Sequence, residues 1–269
     1  MTKANSKAKQ RATLNNSSVI DARSLSQSHK RLAELLEPGM TVLDVGCGTG
    51  AITSGIAEAV GANGKVVGID NNPTLLDTAR KRYPNIIFEI ADIYNLPFEN
   101  QFDIVTTSLV LQWLDQPQQA LNNLVKSVKP GGKVVVLDYN HEKLKWYPEV
   151  PESMKYFYDA FLRWRRDADM DNAIADHLRE MFEKSRLNQI QVTSQHEEVN
   201  HGQESFETAV SIWADVAETK GEQMLQDKLI EKDMLKKAIK DYKEWIRKDA
   251  QSQGCRRNKK VDGTLYDED

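Results

Sequence analysis

The chain has 269 residues, 40% of them hydrophobic, and a formal net charge of -4. That is enough apolar material for a full core in one elaborated domain or at most two, and the acidic balance argues against broad affinity for nucleic acid. No stretch has the apolar length of a membrane span, and the start MTKANSKAKQR is basic without the apolar segment of a secretory signal, so a cytoplasmic protein is expected.

Cysteine usage agrees with a reducing compartment. Cys47 and Cys255 are the only two cysteines, so the chain offers neither a disulfide framework nor a CxxC metal site, and no metal is expected.

Residues 1–18 lack apolar periodicity and read as a disordered basic tail. From Ser24 an amphipathic helical pattern runs to the stop Pro38-Gly39. Beyond it, short apolar runs alternate with helical patterns. TVLDV (41–45), KVVGID (65–70), NIIFEIAD (85–92), FDIVTTS (102–108) and KVVVLDY (133–139) are extended; 51–60, 73–83 and 117–128 are helical. Strands with little in-out alternation, joined by helices, predict a parallel sheet covered on both faces, hence a Rossmann-like, doubly wound α/β fold.

The core is expected over 19–140. An aromatic-rich helical cap follows at 141–172, then the rest of the core and the C-terminal helices at 173–252, with a helix at 173–186 and an extended run at 188–199. A polar tail is expected at 253–269, including the basic run RRNKK at 256–260.

LDVGCGTGAI (43–52) places Gly46, Gly48 and Gly50 in the first strand-to-helix turn, which in such a sheet forms the floor of the ligand site. Missing side chains would let backbone N–H groups and the following helix reach a ligand directly. GCGTGA departs from the dinucleotide spacing G-x-G-x-x-G but leaves an alanine variant open, and no Lys-Ser/Thr pair follows to make a phosphate loop. Asp70, ending the second strand, suits a carboxylate that accepts hydrogen bonds from two ribose hydroxyls.

VLDVGCGTG, VVGIDNNP, EIADIYNLPF, FDIVTTSLVLQW and LVKSVKPGGKVVVLDY, in this order over about residues 40–140, resemble the successive motifs of class I S-adenosylmethionine-dependent methyltransferases. LPFENQFDIV and LQWLDQP are similar to the small-molecule, ubiquinone/menaquinone-biosynthesis-like branch. The resemblance implies a mostly parallel seven-stranded sheet and S-adenosylmethionine as cofactor, leaving S-adenosylhomocysteine as product. It implies that Asp44 and the backbone of Gly46 and Gly48 hold the methionine part and that Asp70 binds the ribose. Asn71 would lie beside the adenine, Asp92 would meet its amino group and Ile93 would flank the ring. Ser108 would offer its carbonyl to the ammonium, with Gln112 and Trp113 near the cofactor and the substrate entrance.

Outside the motifs, His141 follows the fifth strand and is the candidate general base, beside its reading as an ordinary histidine; His177, His196 and His201 read as surface residues. Tyr147, Tyr158 and Trp164 stand for an aromatic substrate wall that ordinary cap packing would equally explain, and Arg163, Arg165 and Arg166 for either a carboxylate site or a self-paired run. The C-terminal end departs from the family: GCRRNKKVDGTLYDED holds no apolar strand, so the seventh strand is expected to be short, as in GTLY, or absent.

The readings are thus a methyltransferase acting on a small molecule, a nicotinamide-dependent oxidoreductase, and a non-catalytic cofactor-binding regulator. GxGxG spacing and the lack of a YxxxK pair speak against the second.

Overall fold

The computed structural model describes residues 6–12, 21 and 23–265, apart from the side chains of 195–198 and 255–260. The described strands are β1 Thr41–Val45, β2 Lys65–Asp70, β3 Ile87–Ile90, β4 Phe102–Ser108, β5 Val128–Asp138, β6 Leu144–Tyr147, β7 Asn188–Asn200 and β8 Ser252–Thr264. The described helices are α1 Lys7–Arg11, α2 Leu25–Ser28, α3 Lys30–Leu35, α4 Ala51–Val60, α5 Pro73–Arg82, α6 Pro117–Ser127, α7 Glu152–Arg166, α8 Ile174–Lys184, α9 Phe206–Gln226 and α10 Lys232–Lys248.

The strands form one sheet in which β3-β2-β1-β4-β5 run parallel and β8 joins β5 antiparallel. β8 is long enough to serve two partners along one edge. Its second half pairs with β5 and its first residues with β6, while β7 runs antiparallel along its other edge.

The parallel strands are buried on both faces, which is why their sequences hardly alternate. Leu43, Val67, Val105, Val134 and Val136 turn toward α6 and α8, where Leu121, Leu124, Leu178 and Phe182 cover them. Their neighbours Val42, Val66, Ile104 and Val135 face the other way, onto Leu32 of α3 and Ile52, Ile56 and Val60 of α4. Burial on this period of two fixes register, since a slip by one residue would exchange the two cores.

A further apolar core lies between α7, α9 and α10, built on Phe157, Phe161, Trp164, Trp213, Tyr242 and Trp245. The cap is therefore discontinuous in sequence. The expected cap at 141–172 contributes α7, but α9 and α10, assigned above to the segment 173–252, complete it.

The C-terminal end corrects the sequence reading. Most of the stretch 253–269, expected to be a polar tail with at most a short strand, belongs to β8, set well inside the sheet. Few of its residues need to be apolar. Val261 is wholly buried against the α8 side, and a Cβ on Gly263 would stand 3.0 Å from the Phe182 ring, so that position takes only a small residue. Asp262, 4% exposed, accepts Nε and Nη2 of Arg31 at 3.0 and 3.2 Å, an ion pair that ties β8 to α3. The basic tail is corrected in part: residues 6–12 carry α1, with Arg11 buried against the cap, while 1–5 and 13–18 lie outside the described residues.

Candidate ligand site at the strand ends

A cavity of about 660 Å³ opens above the carboxyl ends of β1, β2 and β4 and continues beneath α9. Of the residues expected to bind cofactor, Gly46, Gly48, Asp70, Asn71, Ile93, Ser108, Gln112 and Trp113 line it.

The loop after β1 forms the floor, and four of its N–H groups, which the sequence reading expected to be free to reach a ligand, bond within the fold. Gly46 and Cys47 donate to Ile69 O at 2.7 and 3.0 Å, Gly48 donates to Asp70 Oδ2 at 2.9 Å, and Gly50 donates to Cys47 O at 3.0 Å. Glycine is required here for backbone shape and closeness. Gly46, Gly48 and Gly50 have φ of 78°, 55° and 79°, the left-handed region, and a Cβ on Gly46 would stand 2.3 Å from Val110 Cγ2. The loop is thus a thin, bare floor, not the N–H cradle that a phosphate needs.

Asp70 is anchored by two backbone donors, Gly48 N–H on Oδ2 and Asn72 N–H on Oδ1, both at 2.9 Å. Burial raises its pKa, and these donors act against the rise. Asp44 lies under the loop, off the cavity wall, accepting Thr53 Oγ1 at 2.7 Å; burial pushes its pKa up to about 6. Asp92 is also off the wall, between Ala91 and Ile93, which are on it, and its Oδ2 accepts Lys9 Nζ of α1 at 3.0 Å.

His141 joins the wall where β5 ends, 8% exposed. Gln112 gives its Nε2 to Leu109 O at 3.2 Å, so its Oε1 faces His141 Nε2 at 2.5 Å. The imidazole must then carry its proton on Nε2, leaving Nδ1 as the acceptor. Burial, seconded by the nearby Arg165 charge, pushes its pKa well below the usual value, so the ring is neutral. Beneath it, Asp138 accepts Gln112 N–H at 3.1 Å and Tyr139 N–H at 2.9 Å, and burial raises its pKa to about 7.

The three aromatic residues proposed for the substrate wall are not on it. Trp164 is fully buried inside the cap, its Nε1 donating to Asp227 Oδ2 at 2.7 Å. Tyr158 is turned inward to donate to His141 O at 2.6 Å, and Tyr147, on the exposed side of β6, is 62% exposed. Phe161 and Trp213 provide the aromatic wall instead. Of the three arginines, Arg165 is fully buried behind Trp113, whereas Arg166 pairs with Glu142 at 3.5 Å on the surface. His177 is half exposed beside Asp171, and the side chain of His196 lies outside the described residues.

Three basic wall residues escaped the sequence reading. Arg23 donates to Ser108 Oγ at 2.8 Å, Lys9 comes from α1, and Lys220 comes from α9. Lys220 had left a signal: it falls on the helical stripe of Val210, Trp213, Ala217 and Met224, where an apolar residue is the rule.

Residues 36–186 match the family described as a methyltransferase domain. Demethylmenaquinone methyltransferase of Staphylococcus haemolyticus is 29% identical over 196 residues, covering 67% of this chain and 82% of the relative. The ubiquinone/menaquinone biosynthesis C-methyltransferase of Shewanella frigidimarina is 31% identical over 173 residues, 61% of this chain and 69% of that one. With two further curated relatives the match spans only 36% of the relative's length. Among solved structures, phosphoethanolamine N-methyltransferase 2 of Haemonchus contortus, bound to S-adenosylhomocysteine, has the same fold, with a TM-score of 0.53 at 18% identity over 88% of this chain and 52% of that one.

Proposed function

The chain belongs to the methyltransferase-domain family, and from that premise we propose that it transfers a methyl group from S-adenosylmethionine to a small apolar acceptor by in-line displacement. Asp70 carries the reading. Its carboxylate stands at the end of β2 on the wall of the cavity, held by two backbone donors, and would accept the two hydroxyls of a ribose.

The residues present fit the cofactor. The floor over Gly46 and Gly48 is bare, the wall carries a carboxylate for the ribose, and the cation Arg23 stands beside Ser108 for a carboxylate at the other end. When bound, the cofactor supplies a sulfonium-activated methyl with its own leaving group. The chain's part is to bind, orient and exclude water, and alignment of this kind is worth about 7–11 kcal/mol.

Asn71 and Ile93 would bracket the adenine, and Asp92 would accept its amino group once released from Lys9. Ser108 O would accept the ammonium, while Asp44 braces the loop through Thr53. Gln112 holds His141 in the Nε2–H tautomer, so Nδ1 of a neutral ring is available to take a proton from an oxygen or nitrogen nucleophile. Phe161 and Trp213 offer an apolar surface to the acceptor. Among the described residues no helix is long and apolar enough to cross a membrane. We place the enzyme in the cytoplasm, in keeping with its sparse cysteines, with no nucleic-acid partner.

Calorimetric titration with S-adenosylmethionine, S-adenosylhomocysteine, NAD and NADP tests the assignment. Binding of the first two alone is expected; binding of a nicotinamide nucleotide in their place would overturn it.

A further inference from the structure

Gln112 and His141 meet through their side chains, but each is also held by its main chain. The N–H of Gln112 donates to Asp138 Oδ2 at 3.1 Å, and its carbonyl accepts Nη2 of Arg165 at 2.6 Å. The N–H of His141 donates to Asn172 O at 2.8 Å, and its carbonyl accepts the Tyr158 hydroxyl at 2.6 Å. Arg165 reaches both residues, because its Nε donates to Oδ1 of the same Asn172 at 2.8 Å. One side chain near the end of α7 therefore fastens the loop after β4 directly and the loop after β5 through Asn172.

The guanidinium is fully buried and lies off the cavity wall, 4.7 Å from the ring centroid of Trp113 and 5.6 Å from that of Phe161, which are both on it. Burial pushes its pKa down to about 10, with Asp138 first among the groups opposing the fall, so it stays charged at neutral pH. Its hydrogen bonds go to two neutral oxygens, and Nη1 has no hydrogen-bond partner. As a device for stability this is a poor one, since a well-packed apolar side chain often serves as well in such a place or better. What a guanidinium adds is a rigid, planar fork whose donors keep a fixed spacing.

We propose that Arg165 is a positioning residue for methyl transfer: by fastening Gln112 at its carbonyl and His141 through Asn172, it keeps Gln112 Oε1 on His141 Nε2 and so sets the orientation of the imidazole. This rests on the methyltransferase reading and deepens it. Lying off the wall, Arg165 acts through these two residues and not on a ligand.

The test uses the full chain with isotope-labelled histidine, in which the proton–nitrogen signal of His141 Nε2–H is identified by its absence from His141→Gln. In the parent this proton is expected to exchange with water slowly enough to be seen, because it is buried on Gln112 Oε1. Arg165→Met should speed the exchange by about tenfold or more, while affinity for S-adenosylhomocysteine, which reports a folded cavity, stays within about threefold of the parent. Asn172 isolates the link. Asn172→Asp and Asn172→Leu both lose the amide that donates to Leu162 O at 3.0 Å, but only the leucine also removes the acceptor of Arg165 Nε. The aspartate should keep the exchange within about threefold of the parent, and the leucine should match Arg165→Met.

Slow exchange retained in Arg165→Met, or in Asn172→Leu should the first variant not fold, overturns the proposal, as does equal exchange in the two Asn172 variants. Absence of the signal from the parent also overturns it, since Gln112 would then not hold the imidazole. A large loss of S-adenosylhomocysteine affinity in a folded Arg165→Met overturns it by making Arg165 a support of the whole cavity. Failure of the parent to bind S-adenosylhomocysteine would instead sink the methyltransferase reading beneath it.

Discussion

Gln112 Oε1 and His141 Nε2 stand 2.5 Å apart, and because Gln112 Nε2 is committed to Leu109 O, the imidazole is the donor. A loop residue after β4 thereby fixes the tautomer of a residue after β5. Gln112→Glu would place a second acceptor-only group there and favour the imidazolium. The imidazole pKa, held low by burial, would rise, so the neutral base would be lost over a wider range of acid pH. With an oxygen or nitrogen acceptor, the acid limb of turnover should move to higher pH. An unaltered pH–rate profile would show that His141 takes no proton.

Asp138 couples the same loop to folding stability. Burial raises its folded pKa to about 7, so the native state binds a proton that the unfolded chain has released above pH 4 or so. Its contribution is therefore fully present below the unfolded pKa and is lost as pH rises through about 7. Asp44, raised to about 6, acts in the same direction, and His141, held neutral, acts in the opposite one. Asp138→Asn isolates one group. Its stability relative to the parent should improve by up to about 1.4 kcal/mol per pH unit between pH 4 and 7, measured by urea unfolding. A flat difference would mean that Asp138 titrates normally.

How far sequence reached is clear from β4 and β8. FDIVTTS is buried on both faces, so its apolar run announces a central strand, and Phe102–Ser108 matches that reading residue for residue. β8 is equally central, yet only Val261 is apolar among its last buried residues. Asp262 can be buried because Arg31, some 230 positions away, neutralises it. The site divides in the same way. Asp70, Ser108 and Gln112 end strands or follow them, so their place is set by local chain direction. Lys220 and Trp213 reach the cavity only through the packing of α9, which no local pattern specifies. Trp164 shows the converse, an aromatic residue read as wall that the cap consumes as core.

Asp70 carries two duties, and the variant must separate them. Removing the whole carboxyl with Asp70→Ala would also free the N–H groups of Gly48 and Asn72, so lost affinity could reflect a disordered floor. Asp70→Asn keeps the size and one acceptor oxygen. Hydrogen bonds to a charged acceptor are worth about 1.5–3 kcal/mol, so S-adenosylhomocysteine affinity should fall roughly ten- to a hundredfold in a calorimetric titration. Unchanged affinity would remove the ribose assignment.

Lys9 pairs with Asp92, the carboxylate proposed for the adenine amino group, so on that proposal the ammonium competes with the cofactor. The pair is substantially exposed, with side chains 47% and 37% accessible, and such pairs hold by at most about 1 kcal/mol. Lys9→Ala should therefore tighten S-adenosylhomocysteine binding by up to about fivefold at low salt, and the gain should shrink as salt screens the pair. Weaker binding would show instead that α1 helps to hold the cofactor.

Gly46 meets two separable demands. Its φ of 78° costs an ordinary L residue about 1–2 kcal/mol, and its missing Cβ leaves room for Val110, whose Cγ2 would lie 2.3 Å away. Gly46→Ala incurs both penalties and should destabilise the fold by about 2 kcal/mol or more. Val110→Ala removes the clashing methyls but not the backbone strain. In the double variant the steric share should return, giving a favourable coupling of about 1 kcal/mol or more in a double-mutant cycle, while the strain share persists. Additivity of the two substitutions would show that backbone shape alone, without the close approach of Val110, holds glycine at this point of the floor.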